Sequence, residues 1–273
     1  MSATPRVPPV PAVLRLVQMA VLGRWRATVE DLFREVAQLT EAGPRHEILV
    51  SGCGTGTATE WFALRTGGSV TGVDPDVDSI AAAEAHARTI RTATPIQYEH
   101  APLDDLPHET AVFDIGIGDP ALSAASSPER AVAELVRVTK PMGAVVLLQP
   151  TWTSEVPEHE RELIVERLGL RPHLLIEWKQ MLRDAGVVEI RAQDWTSGPP
   201  GGRGTAAGAQ ERPPGLTWRQ KMQIVGRAWR RRGWREARNA VERETTLIRE
   251  LSRERTIGFQ LISGTKWPHE RDR

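Results

Sequence analysis

Three glycines in one short segment have the spacing of a ligand-binding turn. Residues 48–56 read ILVSGCGTG, which places Gly52, Gly54 and Gly56 after a short apolar run. Glycine permits positive φ angles and leaves no Cβ in the way of a ligand. From Thr57 onward the residues predict a helix, whose first N–H groups would face whatever binds at the turn. The segment therefore predicts a strand, a turn and a helix that hold a nucleotide or a cofactor.

A carboxylate follows these glycines at the distance that ribose binding requires. Asp74 comes directly after a second predicted strand, 69–73, about twenty residues beyond the glycines. A carboxylate there can accept two hydrogen bonds from the vicinal hydroxyls of a ribose. The segment 100–107, after the third predicted strand, would then form a wall beside an adenine. The alternative role for Asp74 is a local one, as a turn aspartate or a helix N-cap.

The elements around these residues predict a doubly wound, mostly parallel α/β sheet. The predicted strands are 46–51, 69–73, 96–99, 112–116 and 144–148, and a turn is expected at 140–143. Several strands are continuous apolar runs that alternate with helical segments, which is typical of a parallel sheet covered on both faces. In such a sheet, ligands bind beyond the carboxyl ends of the strands, where the strand order reverses. Both the glycine turn and Asp74 fall at that edge.

The chain divides into a core and added segments. We predict an N-terminal arm with lid helices over 1–44, a Rossmann-like core over 45–196, a Gly/Pro-rich loop with a basic helical insertion over 197–254, and a last core strand with a tail over 255–273. Within these regions, 157–168 and 172–185 are predicted helices, and 187–192 and 256–265 are predicted strands. A length of 273 residues suits one large domain with an elaborated lid.

Composition limits the compartment and the class of partner. The net charge is zero, and the only cysteine is Cys53, which excludes an internal disulfide framework and fits a reducing compartment. Apolar runs long enough to span a bilayer do not occur, and the Pro-rich N-terminus lacks the layout of a signal peptide. We therefore expect a cytoplasmic protein. The histidines and the cysteine show no metal-ligand spacing, so no metal is inferred.

As an ordered set, the motifs resemble those of class I S-adenosylmethionine-dependent methyltransferases, in the small-molecule branch with an N-terminal helical lid. They are the GCGTG turn, VTGVDPD, DDLP, FDIGIG and KPMG. The resemblance covers about 45–151 and extends to 178–190 and 254–266. It implies a seven-stranded Rossmann-like sheet, S-adenosylmethionine as the cofactor, and methyl transfer to a small, apolar or aromatic molecule. The substrate would sit between the N-terminal helices, the segment 149–152 and the insertion 197–254.

The resemblance also assigns the cofactor-binding positions. These are Gly52, Gly54, Gly56, Asp74, Leu103, Asp104 and Asp119. The glycines would pass under the methionine and ribose portions, and Asp74 would hold the ribose hydroxyls. Leu103 or Asp104 would border the adenine, and Asp119 would lie near the sulfonium and the substrate. Cys53 occupies a position where cysteine is frequent in the family, so it is read as structural.

Two positions depart from the family pattern. Val50 stands where an acid on the first strand usually helps to orient the methionine amino group. Pro102 stands where an aspartate commonly receives the adenine amino group. Each lost charge-assisted hydrogen bond is worth about 1.5–3 kcal/mol. These departures motivate a second hypothesis, that the chain is a cofactor-free methyltransferase fold acting as a structural subunit or assembly factor of a complex.

Methyl transfer from a sulfonium requires no universal catalytic residue. The reaction is an in-line displacement, in which catalysis is chiefly the positioning of the nucleophile against the methyl group, with an optional base for the substrate's proton. The candidate bases are His100, Asp119 and His159. His159 is also explained by a solvated helix start.

A basic segment rich in tryptophan, from Trp218 to Arg238, suggests a contact surface. It carries eight basic residues and one acid, with Trp218, Trp229 and Trp234 interleaved. The simplest interpretation is a solvated basic helix whose tryptophans face the core. The alternatives are a membrane surface, which would make the protein peripheral to the membrane, an anionic protein partner and nucleic acid. Because no nucleic-acid-binding motif accompanies the segment, nucleic acid is not expected.

Overall fold

The computed structural model describes residues 29–92, 94, 96–153, 156–159, 161–162, 165, 171–195 and 256–268. The helices assigned in these residues are α1 (Val29–Leu39), α2 (Thr57–Thr66), α3 (Val77–Ala87), α4 (Pro128–Val138) and α5 (Leu175–Asp184), with a 3-10 helix at Pro120–Ala124. The strands are β1 (Glu47–Ser51), β2 (Ser69–Asp74), β3 (Ile96–His100), β4 (Phe113–Gly118), β5 (Thr139–Trp152), β6 (His173–Leu174), β7 (Val187–Asp194) and β8 (Ile257–Lys266).

The strands form a single mixed sheet with the order β3-β2-β1-β4-β5-β8-β7. Strands β1 to β5 pair in parallel, while β8 runs antiparallel to both β5 and β7. The two-residue β6 pairs with the end of β5 and lies off this path. The predicted mostly parallel, doubly wound sheet is confirmed. Its strand order reverses between β1 and β4, so their carboxyl ends define the ligand-binding edge.

The central strand β1 is buried on both of its faces. Ile48, Leu49 and Val50 have no solvent-exposed surface. Ile48 and Val50 pack with the cluster that contains Phe62, whereas Leu49 packs on the opposite face with the cluster that contains Trp178. Continuous apolar character is what a parallel strand covered by helices on both faces requires. The core therefore holds the carboxyl end of β1, and the turn that follows it, in a fixed position.

Two helices next to the sheet begin at residues whose side chains cap them. The Ser127 hydroxyl accepts the Arg130 N–H at 3.3 Å, and Pro128 takes the first turn of α4. Asp76 caps α3 by accepting the Ser79 N–H at 3.2 Å. Local sequence therefore determines where these helices start.

The turn predicted at 140–143 is wrong, because β5 runs through it. The strand keeps its pairing with β4 across a register shift between Phe113 and Ile115, and Met142 takes a φ of 63° there. The Lys140 ammonium lies 2.8 Å from the Asp114 carboxylate on β4 and holds this stretch against its neighbour. The segment is thus an irregularity within a strand, with a turn-like backbone at one residue.

The helix predicted at 172–185 begins three residues later, at Leu175. His173 and Leu174 instead pair in parallel with Thr151 and Trp152 at the end of β5. The Leu174 N–H donates to the Glu177 carboxylate at 2.6 Å, which satisfies a group at the start of the helix. The helix start is therefore set by strand pairing as well as by local sequence.

Several predictions fall wholly or partly outside the described residues. The lid residues before Val29, the loop and insertion over 197–254, and the segment from Trp218 to Arg238 are outside. Residues 158, 159, 161, 162 and 165 of the predicted helix 157–168 are helical, Pro157 is described but not helical, and the others are outside. The bounds of the four predicted regions stay predictions. In the described part of the chain, every helix is too short or too polar to cross a membrane.

Candidate functional site

The turn after β1 forms an open cradle between two packed glycines. Gly52, Gly54 and Gly56 have φ angles of 85°, 55° and 89°. A Cβ added to Gly52 would lie 2.7 Å from Ala121 Cβ, and one added to Gly56 would lie 2.3 Å from the Tyr98 hydroxyl oxygen. A Cβ on Gly54 would meet no atom within 4 Å. Packing thus requires the first and third glycines, whereas the middle one faces open space where a ligand can approach.

Asp74 lies directly beneath this turn. Its side chain is fully buried, and Oδ2 accepts the Gly54 N–H at 2.9 Å. Oδ1 accepts the Asp76 N–H, also at 2.9 Å. The structure therefore brings together the two features that the sequence predicted at one edge. The bond to Asp76 also shows the local turn role of Asp74, while the N-cap of α3 is Asp76 itself.

Asp119 follows β4 at the same edge of the sheet. Its N–H donates to the Ser51 carbonyl at 2.9 Å, which joins the loop after β4 to the end of β1. Burial raises the pKa of Asp119 to about 8, and the nearby negative charge of Asp74 adds to the effect. The group therefore titrates near neutral pH, in the range where a proton acceptor is most useful.

A buried polar pair that the sequence did not reveal fixes the backbone at Asp119. The Gln149 side-chain amide donates to the Gly118 carbonyl at 3.0 Å and to the Asp119 carbonyl at 2.8 Å. The Ser123 hydroxyl donates to Gln149 Oε1 at 2.7 Å. The only sequence signal was a glutamine at the end of an otherwise apolar strand. These bonds hold the loop that carries Asp119 in place.

The two residues proposed beside the adenine differ in their surroundings. Leu103 is buried, and its Cδ1 lies 3.6 Å from the position that a Cβ on Gly52 would take. The Asp104 carboxylate accepts the Ser126 hydroxyl at 2.6 Å, and its backbone carbonyl accepts from Arg130. Leu103 thus lies against the glycine turn, whereas the Asp104 side chain is engaged by the loop before α4.

The positions that depart from the family pattern also differ in exposure. Val50 is fully buried and belongs to the apolar core cluster around Phe62. Pro102 is exposed at the start of the segment that follows β3. Val50 therefore serves packing, while Pro102 can be replaced without disturbing the core.

Of the three candidate bases, Asp119 lies beside the glycine turn and Asp74. His100 Nε2 lies 3.1 Å from the Pro75 carbonyl oxygen. Because a carbonyl only accepts, this contact places the proton on Nε2, so that nitrogen is a donor here. His159 is exposed on its helical segment. Asp119 is therefore the candidate base that the structure favours.

Cys53 is unsuited to nucleophilic chemistry. The thiol is buried and free, and its backbone N–H donates to the Val73 carbonyl at 3.0 Å. Burial, together with the charges of Asp74 and Asp119, raises the pKa of this thiol far above its usual range. The neutral thiol packs against Gly72, where a Cβ would lie 2.8 Å from the sulfur.

The raised pKa of Asp119 predicts a pH-dependent difference between the wild type and Asp119→Asn. The folded state favours the protonated carboxyl, so the cost of ionising it is absent below the unfolded pKa of about 4 and grows until pH reaches about 8. We expect the melting temperature of Asp119→Asn, relative to the wild type, to rise over this window and level off above it. Asp105→Asn, on an exposed residue, is the matched control. A constant difference across the window would contradict the raised pKa.

Comparison with known proteins identifies the core. Residues 49–147 match the family model described as a methyltransferase domain, and they contain the glycine turn, Asp74 and Asp119. The core of this chain has the fold of class I methyltransferases. Members of this family use S-adenosylmethionine, and the phosphoethanolamine N-methyltransferase 2 of Haemonchus contortus, solved in complex with it, has the same fold. That structure superposes with a TM-score of 0.63 at 15% identity, covering 86% of this chain and 52% of that one.

Two further relatives show how far the similarity to this methyltransferase domain extends. Phosphoethanolamine N-methyltransferase 3 of Arabidopsis thaliana is 23% identical over 163 residues, which cover 60% of this chain and 33% of that protein. The [4+2]-cyclase SpnF has a TM-score of 0.67 at 21% identity, covering 96% of this chain and 99% of that one. The chain spans 33–37% of the length of three curated relatives that it matches. Because a cyclase shares the fold, the fold alone does not fix the reaction.

Proposed function

We propose that this protein transfers the methyl group of S-adenosylmethionine to a small molecule with an apolar or aromatic body. The observation that carries the proposal is the buried Asp74 carboxylate, bonded to Gly54 beneath a turn whose middle glycine faces open space. This arrangement stands at the reversal of strand order, where open α/β sheets bind their ligands. The match to a methyltransferase domain supports the same cofactor.

The residues of the site fit the cofactor by chemistry and by shape. Gly54 leaves room for the ligand to approach the backbone, and Asp74 presents a carboxylate suited to ribose hydroxyls. Leu103 offers an apolar surface beside the turn. When bound, S-adenosylmethionine supplies an electrophilic methyl group. The protein's part is then to hold the two reactants in line and to exclude water.

On the substrate side, the proposal is supported by a candidate base and by an apolar cluster at the end of β5. The carboxyl of Asp119 can take up the proton that a nucleophile loses, because its pKa of about 8 lies close to neutral pH. Ser123 and Gln149 hold the backbone of that loop by buried hydrogen bonds. Trp152, at the end of β5, is buried in a small apolar cluster with Val156. These features support an acceptor with an apolar or aromatic body.

The test of the activity is a turnover assay with paired variants. Purified protein is incubated with S-adenosylmethionine and a panel of small aromatic and aliphatic acceptors, and S-adenosylhomocysteine release is measured by mass spectrometry. We expect release that depends on an acceptor and is lost in Asp74→Ala. Release equal to the acceptor-free rate for the whole panel, from protein that binds the cofactor, would contradict methyl transfer to molecules of this class.

The second hypothesis, a cofactor-free subunit, receives no support from the comparisons. A gain-of-affinity variant addresses the departure that motivated it. Pro102→Asp places an acceptor where the family commonly binds the adenine amino group, and Pro102 is exposed. We expect S-adenosylhomocysteine to bind about 10-fold tighter in this variant, the equivalent of one hydrogen bond of about 1.4 kcal/mol, by titration calorimetry.

The matched control for this gain of affinity is Pro107→Asp, at an exposed proline of the same segment. We expect it to leave the dissociation constant unchanged, which would exclude a general effect of added negative charge. An unchanged dissociation constant in Pro102→Asp would show that this loop does not border the adenine.

A further inference from the structure

An arginine beside the end of β5 has no carboxylate partner among the residues that the structure describes. Arg161 lies on the helical segment after β5, where its backbone N–H donates to the Pro157 carbonyl at 3.0 Å. Its guanidinium carbon lies 5.7 Å from the centroid of the Trp152 ring. This distance is within the range of a cation–π contact, which fixes the guanidinium over the indole.

The position of Arg161 connects it to the loop that carries Asp119. Trp152 packs in a cluster with Val156 and Ala124. Ala124 ends the 3-10 helix that begins directly after Asp119. Gln149, three residues before Trp152 on the same strand, donates to the Asp119 carbonyl at 2.8 Å. Arg161 therefore lies at the carboxyl edge of the sheet, beside the ends of β5 and β6.

The electrostatics of Arg161 differ from those of comparable arginines. Its Nε is buried and has no hydrogen-bond partner within the described ranges of the chain. In the described part of the chain, no carboxylate pairs with its guanidinium, whereas Arg137 pairs with Glu134 at 2.7 Å and Arg88 pairs with Glu84 at 3.1 Å. Buried donors are normally satisfied, and a charged donor left unpaired is destabilising. An anionic ligand would satisfy both the donor and the charge.

We propose that Arg161 binds an anionic group, a carboxylate or a phosphate, on the methyl acceptor. The guanidinium presents a planar fork of donors that suits either group, and its contact with Trp152 places that fork at the end of β5. The acceptor would then combine an apolar or aromatic body with one anionic end. Its identity as the acceptor rests on the proposed function, whereas anion binding at Arg161 can be tested independently.

The test is calorimetric titration of sodium benzoate and, separately, of inorganic phosphate at constant ionic strength. Each is titrated into the full-length protein with and without saturating S-adenosylhomocysteine. We expect at least one anion to bind with a millimolar dissociation constant, at least 10-fold weakened in Arg161→Met. Arg161→Lys, which keeps the charge but loses the fork, should give an intermediate value. The anion that binds tighter distinguishes a carboxylate site from a phosphate site.

Arg88→Met is the matched control, because Arg88 is exposed and ion-paired with Glu84 on α3. It should bind both anions as the wild type does, and all three variants should keep wild-type affinity for S-adenosylhomocysteine. Equal anion binding in Arg161→Met and the wild type, or none in the wild type, would overturn the anion site. Anion binding that depends on Arg161 in protein that fails to bind S-adenosylhomocysteine would keep the site and overturn the proposed cofactor chemistry.

Discussion

Replacing Asp74 with alanine is expected to weaken S-adenosylhomocysteine binding by about 100-fold or more. The variant removes the carboxylate that we assign to the ribose hydroxyls, and charge-assisted hydrogen bonds contribute about 1.5–3 kcal/mol each. It also leaves the Gly54 and Asp76 N–H groups without the acceptors that they have at 2.9 Å. Equilibrium dialysis with labelled ligand measures the loss directly.

Because Asp74 is fully buried, the variant must also be shown to be folded. A circular dichroism spectrum and a cooperative melt provide that check at the temperature of the binding assay. Asp105→Ala removes an exposed carboxylate from the segment after β3 and should bind like the wild type. Wild-type affinity in folded Asp74→Ala would show that the ribose is held elsewhere or that the pocket binds another class of ligand.

Alanine at Gly54 and alanine at Gly56 are expected to fail in different ways. At Gly56, a φ of 89° and a Cβ only 2.3 Å from the Tyr98 hydroxyl oxygen combine backbone strain with overpacking. The expected loss of unfolding free energy is about 2–5 kcal/mol. At Gly54 the φ is 55° and no atom lies within 4 Å of the added Cβ, so the expected loss is about 1–2 kcal/mol.

Gly54→Ala should lose less stability than Gly56→Ala but should lose ligand affinity directly. The Cβ added at Gly54 points into the space that we assign to the cofactor, so affinity should fall by about 100-fold in a protein that still folds. The loss corresponds to about 2.7 kcal/mol. Urea unfolding and titration of S-adenosylhomocysteine on both variants provide the comparison. Normal affinity in Gly54→Ala would remove the cofactor from this turn.

Local sequence was sufficient to predict the glycine turn and its partner. The apolar run of β1 is continuous because the strand is buried on both faces, and the three glycines have the positive φ angles that favour glycine. Asp74 was placed at the same edge by the parallel order of the strands. The hydrogen bond from the Gly54 N–H to Asp74 is a direct contact that the argument from strand order did not predict.

Contacts between distant segments could not be predicted in the same way. The path of β5 through 140–143 depends on the pairing of Lys140 with Asp114 and on the register with β4. The hydrogen bonds of Gln149 to Ser123 and to the Asp119 carbonyl join residues that are 26 and 30 positions apart in the sequence. The Arg161–Trp152 contact likewise depends on how the chain turns back after β5. Such pairings depend on the assembled fold rather than on local residue patterns.

The central claim, that this core holds S-adenosylmethionine beside Asp74, is tested most directly by calorimetric titration of S-adenosylhomocysteine into the wild-type protein. We expect one site per chain with a dissociation constant in the micromolar range and a favourable binding enthalpy from the hydrogen bonds at Asp74. No measurable binding heat up to millimolar ligand, in protein shown to be folded, would contradict this claim.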